Sequence, residues 1–205
     1  MVSATKDMMD DVLTDATYTP MVDVIDIRQW HYRSDGSLYA PEGGVSLTQR
    51  KYIRIIDAGT DDLDAVYRAV TEYRSAYPDK AVVYNLRRAK DKDWVAYLAG
   101  ASLCNIPKVE IPRFYDDAVQ MVPMEQVTSK GKYWGMGEHS IGYIIYSTPG
   151  EISLDLTREK GNYVLRWIDP LTGRQLGKTQ KVSTGGKTVW KTPSDADAIL
   201  WLSKK

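Results

Sequence analysis

Over residues 1–128, short apolar runs alternate with stretches whose apolar positions recur every three or four residues. Met8, Met9, Val12 and Leu13 show helical spacing between Thr5 and Asp15, with Ser3 or Thr5 placed to cap the helix. Met21 to Ile27 is β-branched and mostly apolar, the pattern of a strand. A long connection over residues 30–59 carries turn signals at Asp35-Gly36 and Gly43-Gly44. From Asp61 to Tyr77 the stripe Leu63, Val66, Tyr67, Val70 and Tyr73 predicts an amphipathic helix, stopped by Tyr77-Pro78-Asp79. Ala81 to Tyr84 is continuously apolar, as in a strand covered on both faces. A further helix is predicted from Asp93 to Leu103, with Trp94, Leu98 and Ala99 on one side and Asn105-Ile106-Pro107 ending it. Strand, helix, strand, helix in this order predicts a parallel sheet with crossover connections.

Beyond residue 133 the period shortens. Ile141 to Tyr146, Glu151 to Leu156, Tyr163 to Ile168, Lys187 to Trp190 and Ala198 to Leu202 are strand-like. Turn signals separate them: Pro149-Gly150, Lys160-Gly161-Asn162, Asp169-Pro170-Leu171-Thr172-Gly173 and Gly185-Gly186. Short strands at this spacing predict an antiparallel sandwich. Ile152, Leu154 and Leu156 alternate with Ser153 and Asp155, as a strand with one buried face requires. The Gly- and Lys-rich stretch from Ser129 to Gly137 reads as the linker, and no internal repeat is evident.

Composition narrows the function. Lys plus Arg equals Asp plus Glu at 27 each, which argues against a nucleic-acid binder needing a clustered cationic surface. No stretch approaches the roughly 18 apolar residues of a membrane span. One cysteine, Cys104, excludes an internal disulfide framework and a multi-cysteine zinc site, and His31 and His139 are too few for a histidine-rich metal cluster. Neither a metal nor another cofactor is expected. The first residues carry no basic or apolar signal-peptide regions. Fourteen Tyr and six Trp stand against one Phe, Phe114. Such rings suit sugar- or protein-contacting faces, and equally half-buried strand packing.

The C-terminal motifs carry a resemblance. Arg166-Trp167-Ile168-Asp169-Pro170-Leu171-Thr172-Gly173, Gly185-Gly186-Lys187-Thr188, Thr192-Pro193-Ser194-Asp195-Ala196-Asp197 and Leu200-Trp201-Leu202 resemble the C-terminal β-domain of apiosidase-like glycoside hydrolases, often called a collagen-binding domain. The likeness spans Ile141 to Leu202. It departs where the family usually has two prolines, here Thr192-Pro193, and where Asp-Trp opens the last strand, here Asp197-Ala198. Upstream, Val22 to Tyr32, Ser37 to Gly44, Ala65 to Arg74 and Tyr77 to Val82 resemble the late barrel strands of bacterial glycoside-hydrolase-like proteins carrying this sandwich. By that likeness Val2 to Ala4 ends about the sixth strand, Val22 to Ile27 is the seventh and Ala81 to Tyr84 the eighth. The fold class is then α/β plus all-β: a partial (β/α) barrel-like parallel sheet over 1–128, followed by an antiparallel β-sandwich over 133–205.

Barrel chemistry sits on loops after the strands' C-terminal ends. The loop after Ile27 offers Asp26, Arg28, Trp30, His31 and Tyr32, and Asn85 opens the loop after Tyr84. Rings beside a carboxylate and a guanidinium suit sugar recognition, with Asp26 the candidate catalytic carboxylate. Alternatively, Asp26 and Arg28 simply pair in the barrel mouth and His31 is a hydrogen-bonded loop residue. Glycoside hydrolysis usually needs a second carboxylate, and Asp35 and Glu42 lie in the long loop without a spacing that demands the role. Asp116-Asp117 reads as a helix N-terminal pair and Leu86 to Asp93 as a solvated loop. Cys104 reads as an inert packed thiol, and Trp167 and Trp190 as sandwich filling or ligand-stacking rings.

Three functions remain open from sequence: the C-terminal part of a glycoside-hydrolase-like protein, not catalytic alone; a module binding a polysaccharide or a matrix protein such as collagen; or a small hydrolase on an open sheet. With about 70 residues in the sandwich, roughly 130 remain against about 250 for a full barrel. The chain is therefore expected to be complete at its C-terminus and short at its N-terminus, and to self-associate through uncovered barrel edges. The resemblance implies a periplasmic or extracellular setting.

Overall fold

The computed structural model describes residues 1–2, 6–28, 30–39, 59–85, 92–124 and 133–205. The chain forms two compact units, one of residues 1–96 with 100–104, the other of residues 97–99 with 105–205.

The first unit is built on a small parallel sheet. Strand β1 (Val24–Ile27) pairs in parallel with β2 (Ala81–Tyr84), placing Asp26 beside Val83 and Ile27 beside Tyr84. Val2 bridges Ile25 on the outer side of β1, and Ser102 bridges Val83 on the outer side of β2, both in parallel. Spatial order thus follows chain order, with a helix between successive rows: α1 (Lys6–Thr14), α2 (Leu63–Ala76) and α3 (Asp93–Leu98). This is the sequential order of a barrel-like sheet, without the reversal of a doubly wound one.

The helices follow the apolar spacing. Met9 and Leu13 of α1 are buried, while Met8 is exposed. In α2 the buried face is Ala65, Val66, Tyr67, Ala69, Val70 and Tyr73. The Asp62 carboxylate caps α2 by accepting from the Ala65 amide at 2.9 Å. The proposed caps Ser3 and Thr5, and the residues Glu42, Gly43 and Gly44, lie outside the described residues. So does most of the Leu86 to Asp93 run.

Two boundaries differ from the sequence pattern. The strand expected from Met21 starts at Val24, because Thr19–Met21 turns as a 3-10 helix. Buried Lys80 fixes that turn, its ammonium donating to the carbonyls of Thr19 at 3.0 Å and Val22 at 2.8 Å. Helix α3 stops at Leu98, short of Leu103, since Gly100 takes φ +91° and the Ala101 amide closes onto the Ala96 carbonyl at 2.9 Å.

Among its described residues, the second unit contains a short helix, α4 (Phe114–Ala118), and eight strands: β3 (Val122–Pro123), β4 (Tyr133–Glu138), β5 (Gly142–Ser147), β6 (Glu151–Asp155), β7 (Tyr163–Ile168), β8 (Gln175–Val182), β9 (Lys187–Lys191) and β10 (Ala198–Lys204). They form a six-stranded antiparallel sheet in the order β3-β4-β5-β10-β7-β8, with β6 and β9 in a second sheet. One face of the large sheet, through Tyr143, Ile145, Leu165, Trp167, Leu200 and Leu202, encloses a core with Ile152 and Leu154 of β6. Trp167 lies inside this core, and Trp190 is partly buried against it. Central β10 is buried on both faces, with Phe114 edge-on to Trp201 at 5.3 Å between centroids.

Where a linker was expected, β4 is a buried strand. Its glycines mark close approach: a Cβ on Gly135 would lie 2.8 Å from the Ile144 carbonyl, and one on Gly137 would lie 2.4 Å from the Tyr143 ring. Strand β8 was not marked by any apolar pattern, because as an edge strand it exposes most of its positions. The Asp169–Gly173 hairpin forms as expected. Asp169 accepts from the Leu171 amide and the Thr172 hydroxyl at 2.8 Å each, and Gly173 takes φ +70°.

Candidate functional site

The C-terminal end of the parallel pair is the natural place for chemistry in this kind of sheet. The Asn85 amide donates to the Ile27 carbonyl at 2.9 Å and closes the ladder there. The Asn85 side chain is exposed. Along β1, Ile25 and Ile27 point to one face, and alternation sends Asp26 to the other.

Asp26 is 2 % exposed. Its Oδ2 accepts from Arg28 Nε at 2.5 Å, and Arg28 is half exposed. Its Oδ1 is buried and has no hydrogen-bond partner among the described residues. The pairing expected as the plain structural reading is therefore present, yet one carboxylate oxygen is left unengaged.

Trp30 is partly exposed and stands edge-on to buried Tyr39, with ring centroids 5.9 Å apart. Gly59 permits this, since a Cβ there would lie 2.4 Å from the Trp30 Cβ. His31 and Tyr32, each 2 % exposed, turn away from any open surface. Asp26 thus lies on β1 itself, Arg28, Trp30 and Asn85 follow the two strand ends, and His31 and Tyr32 belong to a separate cluster. Asp35 sits in a tight turn, accepting from the Ser37 amide at 2.8 Å and its hydroxyl at 2.6 Å. Those bonds hold its carboxyl below the ordinary range.

The buried cluster was not singled out in the sequence. Tyr32 donates its hydroxyl to Glu72 and lies under the Arg68 guanidinium, 4.0 Å from ring centroid to Cζ. Arg68 bonds Glu72 at 2.8 Å, and Lys6 stands 3.5 Å from Glu72 and 2.9 Å from Asp10. Tyr73 donates to Asp10 at 2.8 Å. Burial opposes ionisation of Glu72, but donors from Tyr32 and Arg68 win and keep its carboxyl below the usual range. Burial and the neighbouring carboxylate raise the Tyr32 hydroxyl. The only sequence signal was the i, i+4 spacing of Lys6 with Asp10 and Arg68 with Glu72.

A second buried carboxylate lies in the antiparallel unit. Glu159 accepts from the hydroxyls of Tyr143 and Tyr163, the latter at 2.6 Å, and contacts His139 Nδ1 at 2.8 Å. Against its desolvation, these bonds hold the Glu159 carboxyl below the ordinary range. Cys104 Sγ points at the Ala101 carbonyl at 3.7 Å, and burial pushes the thiol up to about 12, the behaviour of a packed thiol. Asp116 and Asp117 do fall in the first turn of α4. Among the described residues, no group of three or more His, Cys, Asp or Glu is placed to hold a metal ion. Among the same residues, no helix is long and apolar enough to cross a membrane.

Comparison with solved structures places this architecture among glycoside-hydrolase-like folds. A protein named "Glycoside hydrolase" aligns with 13 % identity and a TM-score of 0.54, covering 94 % of this chain and 55 % of its own. A glycoside hydrolase family 5 protein from Bacteroides vulgatus ATCC 8482 aligns with 12 % identity and a TM-score of 0.51, covering 89 % and 51 %. At such identities the likeness is one of fold, and the chain spans about half the length of either neighbour. No curated protein matches the sequence. A family model described as "Domain of unknown function (DUF6298)" matches residues 1–121, more than half of the 205. The chain belongs to that family, DUF6298.

Proposed function

We propose that the chain is the C-terminal portion of a glycoside-hydrolase-like protein that acts on plant or other complex polysaccharide, and that it is not catalytic by itself. Val2, β1, β2 and Ser102 supply late rows of a (β/α)₈ barrel over residues 1–128. The sandwich over 133–205 is of the kind that follows the barrel in apiosidase-like enzymes. The observation that carries the reading is Asp26: a buried carboxylate, oriented by Arg28, with a free oxygen near the end of a parallel strand.

In this role Arg28 fixes one oxygen of Asp26, and Oδ1, buried and without a partner among the described residues, must come into the open to accept from a sugar hydroxyl or act on the reacting sugar. Trp30 offers a partly exposed ring for the apolar face of a sugar, and Asn85 an amide for its hydroxyls. The partner carboxylate that glycoside hydrolysis requires would come from an earlier strand, outside this chain.

The test is product analysis after incubating the purified chain with a panel of plant polysaccharides. No release of reducing ends is expected. Release that disappears in Asp26→Asn would show that the chain is an enzyme in its own right and would overturn the proposal.

A further inference from the structure

His31 is buried with neither ring nitrogen hydrogen-bonded to a described residue. Its ring is edge-on to Tyr73 at 5.7 Å and to Tyr32 at 6.4 Å. An imidazole with two unmet nitrogens is tolerable when neutral and costly when charged, since the cation needs acceptors for both N–H groups.

The charged groups around it are Lys6, Asp7 and Asp10 on α1, Arg68 and Glu72 on α2, with the hydroxyls of Tyr32 and Tyr73. Two of the nearby carboxylates already hold donors. Asp10 holds Tyr73 and Lys6; Glu72 holds Tyr32, Arg68 and Lys6. Of these, the Tyr32 bond to Glu72 ties the segment from Trp30 to Tyr39 onto α2, together with Arg68 Nη1 donating to the Gly36 carbonyl at 2.8 Å, while Tyr73 and Asp10 join α2 to α1. A protonated His31 therefore competes with Tyr32 and Tyr73 for these carboxylates.

We propose that His31 is the trigger of an acid-opened latch: its protonation draws Glu72 away from the Tyr32 hydroxyl and frees the loop from Trp30 to Tyr39. The neutral ring is the closed state, with burial first and the Lys6 charge second pushing its pKa down to about 4. Opening brings the ring to water and a carboxylate partner, so that it returns at least to its ordinary 6.5. By linkage, opening then becomes about twentyfold more favourable near pH 5 than near pH 7. The latch itself involves no glycan. Only its consequence, acid control over the Trp30 ring, rests on the reading of this loop as a sugar-contacting one.

Hydrogen exchange followed by mass spectrometry tests it without any glycan, so its outcome is independent of the functional reading. Rates corrected for intrinsic pH dependence should rise about twentyfold in peptides from residues 30–39 on acidification in the native protein. The His31→Phe variant, which keeps a planar ring and cannot be protonated, should show no such rise. Equal rises in both proteins, or none in either, overturn the proposal. If His31→Phe does not fold, proton NMR of the native chain decides, with only His31 and His139 to resolve. His31 should titrate well below its ordinary value, with the Tyr32 and Tyr73 ring signals shifting in step. A His31 midpoint near 6.5, or unmoved tyrosine signals, overturns it.

Discussion

Arg28 Nε donates to Asp26 Oδ2 at 2.5 Å while Asp26 Oδ1, equally buried, has no partner among the described residues. Two residues apart on one strand end, they make a carboxylate that is oriented and half satisfied. Removing the arginine leaves the buried carboxylate with no hydrogen-bond donor among the described residues. Arg28→Ala should lower the unfolding free energy by about 1–3 kcal/mol, the exposed half of the guanidinium keeping the loss below that of a fully buried pair. Asp26→Asn added to Arg28→Ala should recover part of it. Urea denaturation of the two variants checks this; a double variant less stable than Arg28→Ala contradicts it.

The Glu159 carboxyl, held low by Tyr143, Tyr163 and His139, ties the β4–β5 turn to the segment before β7. Its folded pKa lies below the ordinary 4.5, so the unfolded chain binds the proton more readily. The stability it contributes is present above 4.5 and is lost as pH falls through the lower folded value. Glu159→Gln should flatten that acid limb and cost about 1–3 kcal/mol at neutral pH. Thermal unfolding across the acid range checks the sign: a variant with the native acid limb contradicts it.

Glycines at positive φ should differ in consequence. A Cβ on Gly142, at φ +143°, would sit 1.9 Å from the carbonyl oxygen of Leu202 in central β10. Gly142→Ala should cost several kcal/mol, about 2–4, because backbone rather than a side chain must move. Gly177, at φ +66°, has nothing within 4 Å. Gly177→Ala should cost only about 1 kcal/mol, the left-handed conformational penalty. Equal losses in urea denaturation would contradict the contrast.

Cys104, with its thiol pushed up to about 12, should react slowly with a thiol reagent in the folded protein and rapidly in urea. Equal rates in both conditions would show that the thiol is not held as described.

Much of the fold was legible because periodicity reports burial. The α2 stripe, the apolar β2 run and the hairpin at Asp169 all carry local signals that tertiary contacts then reinforce. Strand β4 was misread as a linker because glycine has two meanings, freedom and lack of bulk. Gly135 and Gly137 are there for the second, and only the neighbouring strand β5 reveals it. Polar β8 was invisible because an edge strand needs no apolar alternation. The geometry of the candidate site was half legible. Its position after Ile27 follows from sheet logic, but consecutive residues Trp30, His31 and Tyr32 diverge into a partly exposed ring and two buried ones. Tyr32 is held inward by Glu72 and Arg68, which are distant in sequence.

The central claim is that Arg28 and Trp30, just past the strand that carries buried Asp26, face a glycan. Affinity electrophoresis of the whole chain through gels containing soluble plant polysaccharides tests this most directly, with Trp30→Ala alongside. At least one polysaccharide should retard the native chain, and Trp30→Ala should weaken that retention about tenfold or more, as loss of a stacking ring does. Unchanged mobility across the panel, or retention undiminished in Trp30→Ala, would contradict the account.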